Sequence, residues 1–468
     1  ALPNAGPKRF IVNILYMHTH DMGRYNQVYG YAIPTPAFFA ISQQSTVFRN
    51  AHSAAPTCSP SRAALLTGMS PHSAGMLGLA HRGFGLAQPR RHLSWFLREA
   101  GYHTALFGVQ HEAADVRELG YELAWEGTDE QPKKDQDAEA VARAAQFLED
   151  RDDDRPFFLS VGMQCPHRPY LPGTPGSADF LAPPALLADV PQVRQDFADY
   201  IASVAWADHC CGQLVDAIRA KGLWDELLVI LTTDHGIAFP HMKGSLTGAG
   251  TGVTLAVKLP RQRHHRVVDQ LVSQIDVYPT LCDLLGLERP EWLEGNSLLP
   301  ALTGEEEVSG GPTSQDATGD RAVFSEISFH AAFEPARCLR TERYSYIERY
   351  DGGGRPVLAN IDAGGAKSWC LEHGLAGEQR PREELHDLFS DPMESRNLAD
   401  DEALRPVKAQ LRARLRAWQE RTQDPVLAGF PDVPDAVRVN PVDQVDPDEV
   451  HLLDGQGWRR AGGKAVLR

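Results

Sequence analysis

The sequence predicts an α/β sandwich built around a largely parallel sheet, with a smaller α+β lobe toward the C-terminal end. Three observations carry that prediction. Apolar runs of strand length alternate with helical patterns along most of the chain. Polar, metal-capable residues recur just past those runs, where open α/β sheets collect their chemistry. Beyond a Gly/Ser-rich stretch at 304–320 the texture changes to closely spaced strands and one amphipathic helix.

The elements follow in order. FIVNILYM (10–17), TALFG (104–108), FFLSVGM (157–163), LLVILTTD (227–234) and TLAVKL (254–259) are nearly uncharged and read as buried strands. Between them RHLSWFLREAG (91–101), AEAVARAAQFLED (138–150) and a long pattern near 194–221 have helical spacing. GEEEVSGGPTSQDATGD (304–320) reads as a solvated loop. AVFSEIS, RCLRTERYSYIERY and ELHDLFSD then read as antiparallel strands, and ALRPVKAQLRARLRAWQERT as an amphipathic helix. Residues 1–334 are expected to form the catalytic domain and 335–468 the smaller lobe.

With 468 residues and 42% hydrophobic content the chain can bury a core in more than one lobe. Lys and Arg total 46 against 62 Asp and Glu, a net charge of −16 with no long basic run, so nucleic acid is not an expected partner. A local basic cluster can still hold an anion, because distant charge is screened. No apolar run is long enough to span a bilayer, so no membrane partner is expected. ALPNAGPKRF lacks a signal-peptide core. The seven cysteines (58, 165, 210, 211, 282, 338, 370) show neither a CxxC zinc pattern nor a disulfide framework. Together these favour a reducing, cytoplasmic location over a secreted one. The oligomeric state is left open.

TCSPSRAALLTG (57–68) places a thiol at a helix start. Ser59 can cap, Pro60 suits the first helical position and Gly68 can end the helix. Cys58 would sit at the positive pole, and Arg62, four residues on, returns to the same face. An anion there would meet backbone N–H groups and a guanidinium fork. A buried structural cysteine or a plain catalytic thiolate would suit the same residues, although no Cys-His-Asn signature accompanies it. Just past the strands lie His18, His20 and Asp21; Gln110 and His111; Cys165 and His167; and Asp234 and His235.

Cys58-Ser59-Pro60-Ser61-Arg62, followed by Leu66-Thr67-Gly68, resembles the C-x-P-S-R…TG signature of the type I sulfatases of the alkaline phosphatase superfamily. LLVILTTDHG (227–236), QCPHRPY (164–170), IDVYPTLCDLLG (275–286) and LHDLFSDPMESRNLA (385–399) extend the resemblance over most of the chain. CSPSRAALLTG, GMLGL (75–79) and DRPFFLSV (154–161) are similar to the N-sulfoglucosamine sulfohydrolase (heparan N-sulfatase) branch. The resemblance implies an alkaline-phosphatase-like fold and hydrolysis of a sulfate ester or sulfamate, on a small or saccharide substrate. It also implies oxidation of Cys58 to Cα-formylglycine by a formylglycine-generating enzyme. The hydrate of that aldehyde has one hydroxyl to attack sulfur and a second to expel sulfate.

By the same resemblance His20, Asp21, Asp234 and His235 occupy the positions of a divalent metal beside residue 58. The family default is calcium. Histidine at 20 and 235, where Asp and Asn are usual, suits manganese or zinc; alternatively His20 only orients Asp21. His18 reads as a bystander. His111 matches a residue that contacts the hydrate, and His167 one that protonates the bridging atom. Arg62 and Lys243 match groups that hold sulfate oxygens. Val109 stands where the family commonly has lysine. His81 and Arg82, on a rim loop, and His330 and Arg337, in SFHAAFEPAR, are candidate substrate contacts. Two alternatives accompany this reading. The Asp-His pair and Val109 would suit a phosphonate monoester or phosphodiester hydrolase, and an unmodified Cys58 a non-catalytic anion-binding homologue.

Overall fold

The structure is a computed structural model and describes residues 12–304, 321–429, 431–448 and 450–460. The sequence-based readings of residues 1–11 and of the loop at 305–320 lie outside the described residues.

Among the described residues eight strands form one sheet: β1 (Ile14–Thr19), β2 (Thr46–His52), β3 (His103–Gly108), β4 (Leu123–Trp125), β5 (Phe157–Gly162), β6 (Leu228–Thr233), β7 (Leu255–Lys258) and β8 (Arg266–Ser273). Their order is β4-β3-β5-β1-β6-β7-β2-β8. Only β7 runs antiparallel to its neighbours β6 and β2; the remaining pairs are parallel.

Both faces of the sheet are covered, which explains the uninterrupted apolar strands. Ile14 and Tyr16 of β1 pack on one face with Leu65, Phe158 and Ile230; Leu15 and Met17 pack on the other with Leu159, Phe197 and Leu231. That is the two-residue period of a strand. The second face is sealed by the helices Lys133–Asp150 and Pro191–Ala220. In the latter Val193, Phe197, Tyr200, Val204, Ala207, Cys211 and Leu214 are buried at alternating spacings of four and three, one stripe of the helix.

Three strands were not legible in the sequence. In β2 the exposed Arg49 interrupts the apolar run, and its register with β8 shifts between Phe48 and Asn50. β8 is an edge strand with a solvent-facing first half in which Arg266 and Asp269 flank two valines, and β4 is a three-residue edge strand.

A second sheet contains β9 (Val323–Phe329), β10 (Phe333–Arg340), β11 (Tyr344–Arg349) and β12 (Glu383–Asp387), all antiparallel in the order β12-β11-β10-β9. The helix Arg405–Arg421 lays Leu411, Leu415 and Trp418 against Leu339, Tyr346 and Leu385. The sheet begins at Val323, so a boundary between 334 and 335 would cut through β10. Trp458 packs beside Phe84, Phe329 and Phe333, joining residues from both lobes in one cluster. Among the described residues no helix is long and apolar enough to cross a membrane.

Candidate active site

The site forms at the carboxyl ends of the central strands, as expected for this class of sheet. β1 and β6 pair in register as far as Thr19 opposite Thr233. The next residues, His20-Asp21 and Asp234-His235, therefore emerge side by side. Asp21 takes a left-handed backbone conformation with φ of 53°, one that a residue with a side chain adopts only when its surroundings impose it. Its own N–H donates to Asp234 Oδ1 at 2.8 Å, and the His235 N–H donates to the same oxygen at 2.9 Å.

The other oxygen of Asp234 accepts from Arg62 Nε at 3.2 Å and Nη2 at 2.9 Å. Arg62 Nη1 donates to His18 Nδ1 at 2.6 Å, and Nη2 to the Thr19 carbonyl at 3.1 Å. This corrects two expectations. The guanidinium is fully buried against Asp234 and not turned toward an anion, and His18 is not a bystander, since it helps hold Arg62. Burial alone would raise the Asp234 carboxyl; His235, His20 and Arg62 together hold it far below the carboxylate range.

Cys58 is the first residue of the helix Cys58–Thr67. Thr57 takes the flanking position in extended conformation, and Ser59, expected to cap, instead accepts the Ala80 N–H at 3.0 Å. Gly68 ends the helix with φ of 68°, as its left-handed conformation requires. Cys58 Sγ lies 3.3 Å from His235 Nε2. His235 Nδ1 lies 3.0 Å from the Gly236 carbonyl and so donates to it, which leaves the Nε2 lone pair turned inward, as a ligating imidazole needs. Burial pushes the Cys58 thiol up, the opposite of what a reactive thiolate requires.

His20 Nδ1 bridges Asp21 Oδ1 at 2.7 Å and Asp234 Oδ2 at 3.1 Å. His20, Asp21, Cys58, Asp234 and His235 each offer a ligand atom, all within 4.8 Å of one another and all buried. Burial keeps the His20 imidazole neutral, against the pull of Asp234 and Asp21. Two carboxylates and two imidazoles make a donor set that fits a divalent cation, and nitrogen donors suit manganese or zinc better than calcium.

Lys243 Nζ donates to Asp21 Oδ2 at 2.8 Å and lies 3.3 Å from Asp362. His111 Nδ1 is 3.2 Å from His20 Nε2. Its loop is built by Gln110, whose side-chain oxygen accepts the N–H groups of His111, Glu112 and Ala113 at 2.7, 2.6 and 2.9 Å. That wrap holds His111 at φ of 97°. Val109 is buried. The His167 ring stands edge-on to His20 with centroids 4.4 Å apart.

A sequence model described as Sulfatase matches residues 12–287. The chain belongs to the sulfatase family. Human N-sulphoglucosamine sulphohydrolase is 30% identical to this sulfatase over 457 residues, 86% of this chain and 88% of that one. A solved 2-O GAG sulfatase shares the fold with a TM-score of 0.69 at 22% identity, covering 94% of this chain and 100% of that chain. A phosphonate monoester hydrolase of Agrobacterium radiobacter gives the same TM-score, 0.69, at 20% identity over 90% and 98%. The fold is thus alkaline-phosphatase-like, and this sulfatase is a sulfuric ester hydrolase.

The rim residues divide. His81 is exposed and close enough to His111 to depress its basicity; Arg82 donates to Asn440 Oδ1 at 2.9 Å. His330 is buried near Lys243 and Asp362, its Nδ1 without a hydrogen-bond partner among the described residues, and burial lowers it to about 3. Arg337 is the correction. Its guanidinium donates to Asp424 at 2.7 and 2.9 Å and to the Ile327 and Ala336 carbonyls at 2.8 and 2.9 Å. It is fully buried inside the small lobe, committed to these partners.

Two residues of the site carried no motif. Asp362 comes from a loop in a sequence without chemical pattern. Lys133 opens the Lys133–Asp150 helix, and its ammonium reaches His167 Nδ1 and the Arg168 carbonyl. A lysine in a first helical turn opposes the helix dipole, and that conflict was the available signal.

Proposed function

We propose that this sulfatase hydrolyses a sulfate ester or sulfamate on a carbohydrate-like substrate, with residue 58 as the reacting group. The observation that carries the reading is the meeting of Cys58, at a helix start, with four buried metal-capable side chains. Asp21, Asp234 and His235 would hold a divalent cation, with His20 completing the set or orienting the carboxylates. Such a cation would supply counter-charge to the sulfate oxygens and acidify a hydroxyl on residue 58. The Cα-formylglycine that oxidation of Cys58 gives would supply, as its hydrate, the attacking hydroxyl and the second hydroxyl for sulfate release.

The remaining groups belong to the chain itself. Arg62 keeps Asp234 ionised and fixed. Lys243 adds positive charge beside Asp21. His167 gives a proton to the bridging oxygen or nitrogen as it departs, and His111 takes the proton of the second, unsulfated hydroxyl as the aldehyde re-forms and sulfate leaves. The name of the human relative supports a sulfated sugar as substrate, and His81, Arg82 and His330 are proposed to meet it.

The imidazoles at 20 and 235 and the apolar Val109 also favour a second reading, hydrolysis of a phosphonate monoester or phosphodiester by the same machinery. Turnover of 4-nitrophenyl sulfate against a phenyl phosphonate monoester decides between them: faster sulfate turnover is expected, faster phosphonate turnover overturns the first. In protein from a host able to modify it, the Cys58 peptide should be lighter by roughly 18 Da, the thiol having become an aldehyde. An unmodified thiol in such protein would favour an anion-binding homologue.

A further inference from the structure

Lys243 stands between two carboxylates. Its ammonium donates to Asp21 Oδ2 at 2.8 Å, and Asp362 Oδ2 lies 3.3 Å from the same nitrogen. Asp362 follows the helical turn Leu358–Asn360 of the small lobe, and the chain around it is pinned. Before it, the buried Asn360 side chain accepts the Ala332 N–H at 2.8 Å and donates to Glu334 Oε2 at 2.8 Å, and the Lys367 ammonium donates to the Ile361 carbonyl at 2.9 Å. After it, the Ala366 N–H donates to Asp196 at 2.9 Å. Ala332 lies in the β9–β10 hairpin that carries His330, so Asn360 sets His330 and Asp362 on one wall of the site.

The carboxylate on that wall is ionised. Burial alone would raise it; the Lys243 charge pulls it down to about 2. Its Oδ2 accepts no hydrogen bond among the described residues, and 20% of the side chain stays open. Lys243 does not require it, since Asp21 already pairs with that ammonium. A second carboxylate also repels the sulfate that the site takes. It has a use where the substrate brings hydrogen-bond donors, because a carboxylate only accepts. The charges of His330 and His167 act on it as well, which puts it on the side of the leaving group. From this placement we infer that Asp362 is a substrate-binding residue that sets specificity: it accepts hydrogen bonds from hydroxyl or amine groups of the sugar next to the scissile bond, and disfavours sugars with a second anionic group there. The inference rests on the sulfatase reading above, with a sugar as the leaving group and His167 as its acid.

The test measures kcat and KM of metal-loaded enzyme from a formylglycine-competent host. The substrates are 4-nitrophenyl sulfate, which brings no hydrogen-bond donor, glucosamine monosulfated at N, O3 or O6, and the disulfated counterparts of the best of these. Asp362→Ala should lower kcat/KM on the preferred monosulfated sugar by about 10²-fold, the scale of losing hydrogen bonds to a charged group, with most of the loss in KM. The loss on 4-nitrophenyl sulfate should be at least ~10-fold smaller, and a thermal melt reports on folding separately. Asp362→Asn removes the charge, so the preference of the unmutated enzyme for monosulfated over disulfated sugar should narrow by about 10-fold. Equal losses on aryl sulfate and sugar would make Asp362 only a counter-charge to Lys243 and overturn the inference. Undiminished sugar turnover in Asp362→Ala, or an unchanged preference in Asp362→Asn, would overturn it too. An unmutated enzyme that cleaves 4-nitrophenyl sulfate but none of the sugars would overturn the inference and leave the sulfatase reading standing; one that cleaves no member contradicts both.

Discussion

Two buried clusters in this chain contain the same kinds of side chain and behave differently. At the strand ends, His20, Asp21, Asp234 and His235 surround Cys58. Where the short helix Pro71–Ala74 meets the small lobe, His72, Glu326 and Asp424 also bring their ligand atoms within 4.8 Å of one another. The second cluster is already neutralised. Arg337 bridges Asp424 at 2.7 Å and Glu326 at 3.7 Å. The His72 ring donates to Glu326, whose charge raises the imidazole above its usual 6.5 although burial opposes it. Two cations thus face two carboxylates. At the first cluster burial keeps His20, His111 and His167 neutral, and the backbone is strained at Asp21 and His111. A cluster prepared for an ion leaves its imidazoles neutral and accepts strain to hold donors inward; a cluster that only stabilises the fold closes its own charge balance.

The contrast can be broken most sharply at Asp234. Asp234→Asn removes an ionised donor and the partner of Arg62. Turnover should fall by about 10³-fold or more, as when charge stabilisation at a reacting centre is lost, and bound metal should fall with it by elemental analysis. Unchanged metal content and turnover would place the two clusters in one class. Arg337→Met in the second cluster should act on stability instead. Removing one partner of a buried pair costs about 3–5 kcal/mol, read by urea unfolding, while kcat/KM of the folded enzyme stays within roughly twofold. A selective rise in KM would return Arg337 to the substrate contacts.

The smallest effect is a pH dependence. His72 has a raised folded pKa, so the folded state keeps a proton that the unfolded chain has released above about 6.5. Its stabilisation is complete below that pH and is lost as pH rises through the folded value, with a slope of at most about 1.4 kcal/mol per pH unit. The unfolding free energy of the wild type should therefore converge on that of His72→Gln as pH increases from 6 toward 9. Parallel curves would show that His72 contributes no charge to the cluster.

The same contrast marks how far the sequence could be read. The central strands, the helix at Cys58 and the gathering of polar side chains past β1, β3, β5 and β6 were legible, because strand ends and motif coincide there. Edge strands β4 and β8 were not, since a half-solvated strand lacks a continuous apolar run. Arg337 looked like a pocket residue because SFHAAFEPAR resembles one; its commitment to Asp424, far along the chain, has no local signature. Arg62 and His18 were misjudged for the same reason, since the Arg62–Asp234 pair spans two distant motifs. Lys133 was hidden in a charged helix start that looked solvated, and only its opposition to the helix dipole set it apart.

The central claim is that the side chain at position 58, set against the metal-capable cluster, is the group that attacks the substrate. Its most direct test is the turnover of Cys58→Ala beside the unmutated enzyme, both made in one formylglycine-competent host and matched for bound metal. Loss of hydrolysis by about 10⁴-fold or more, the scale of removing a covalent nucleophile, is the predicted result. Hydrolysis within a few-fold of the unmutated enzyme would contradict the account.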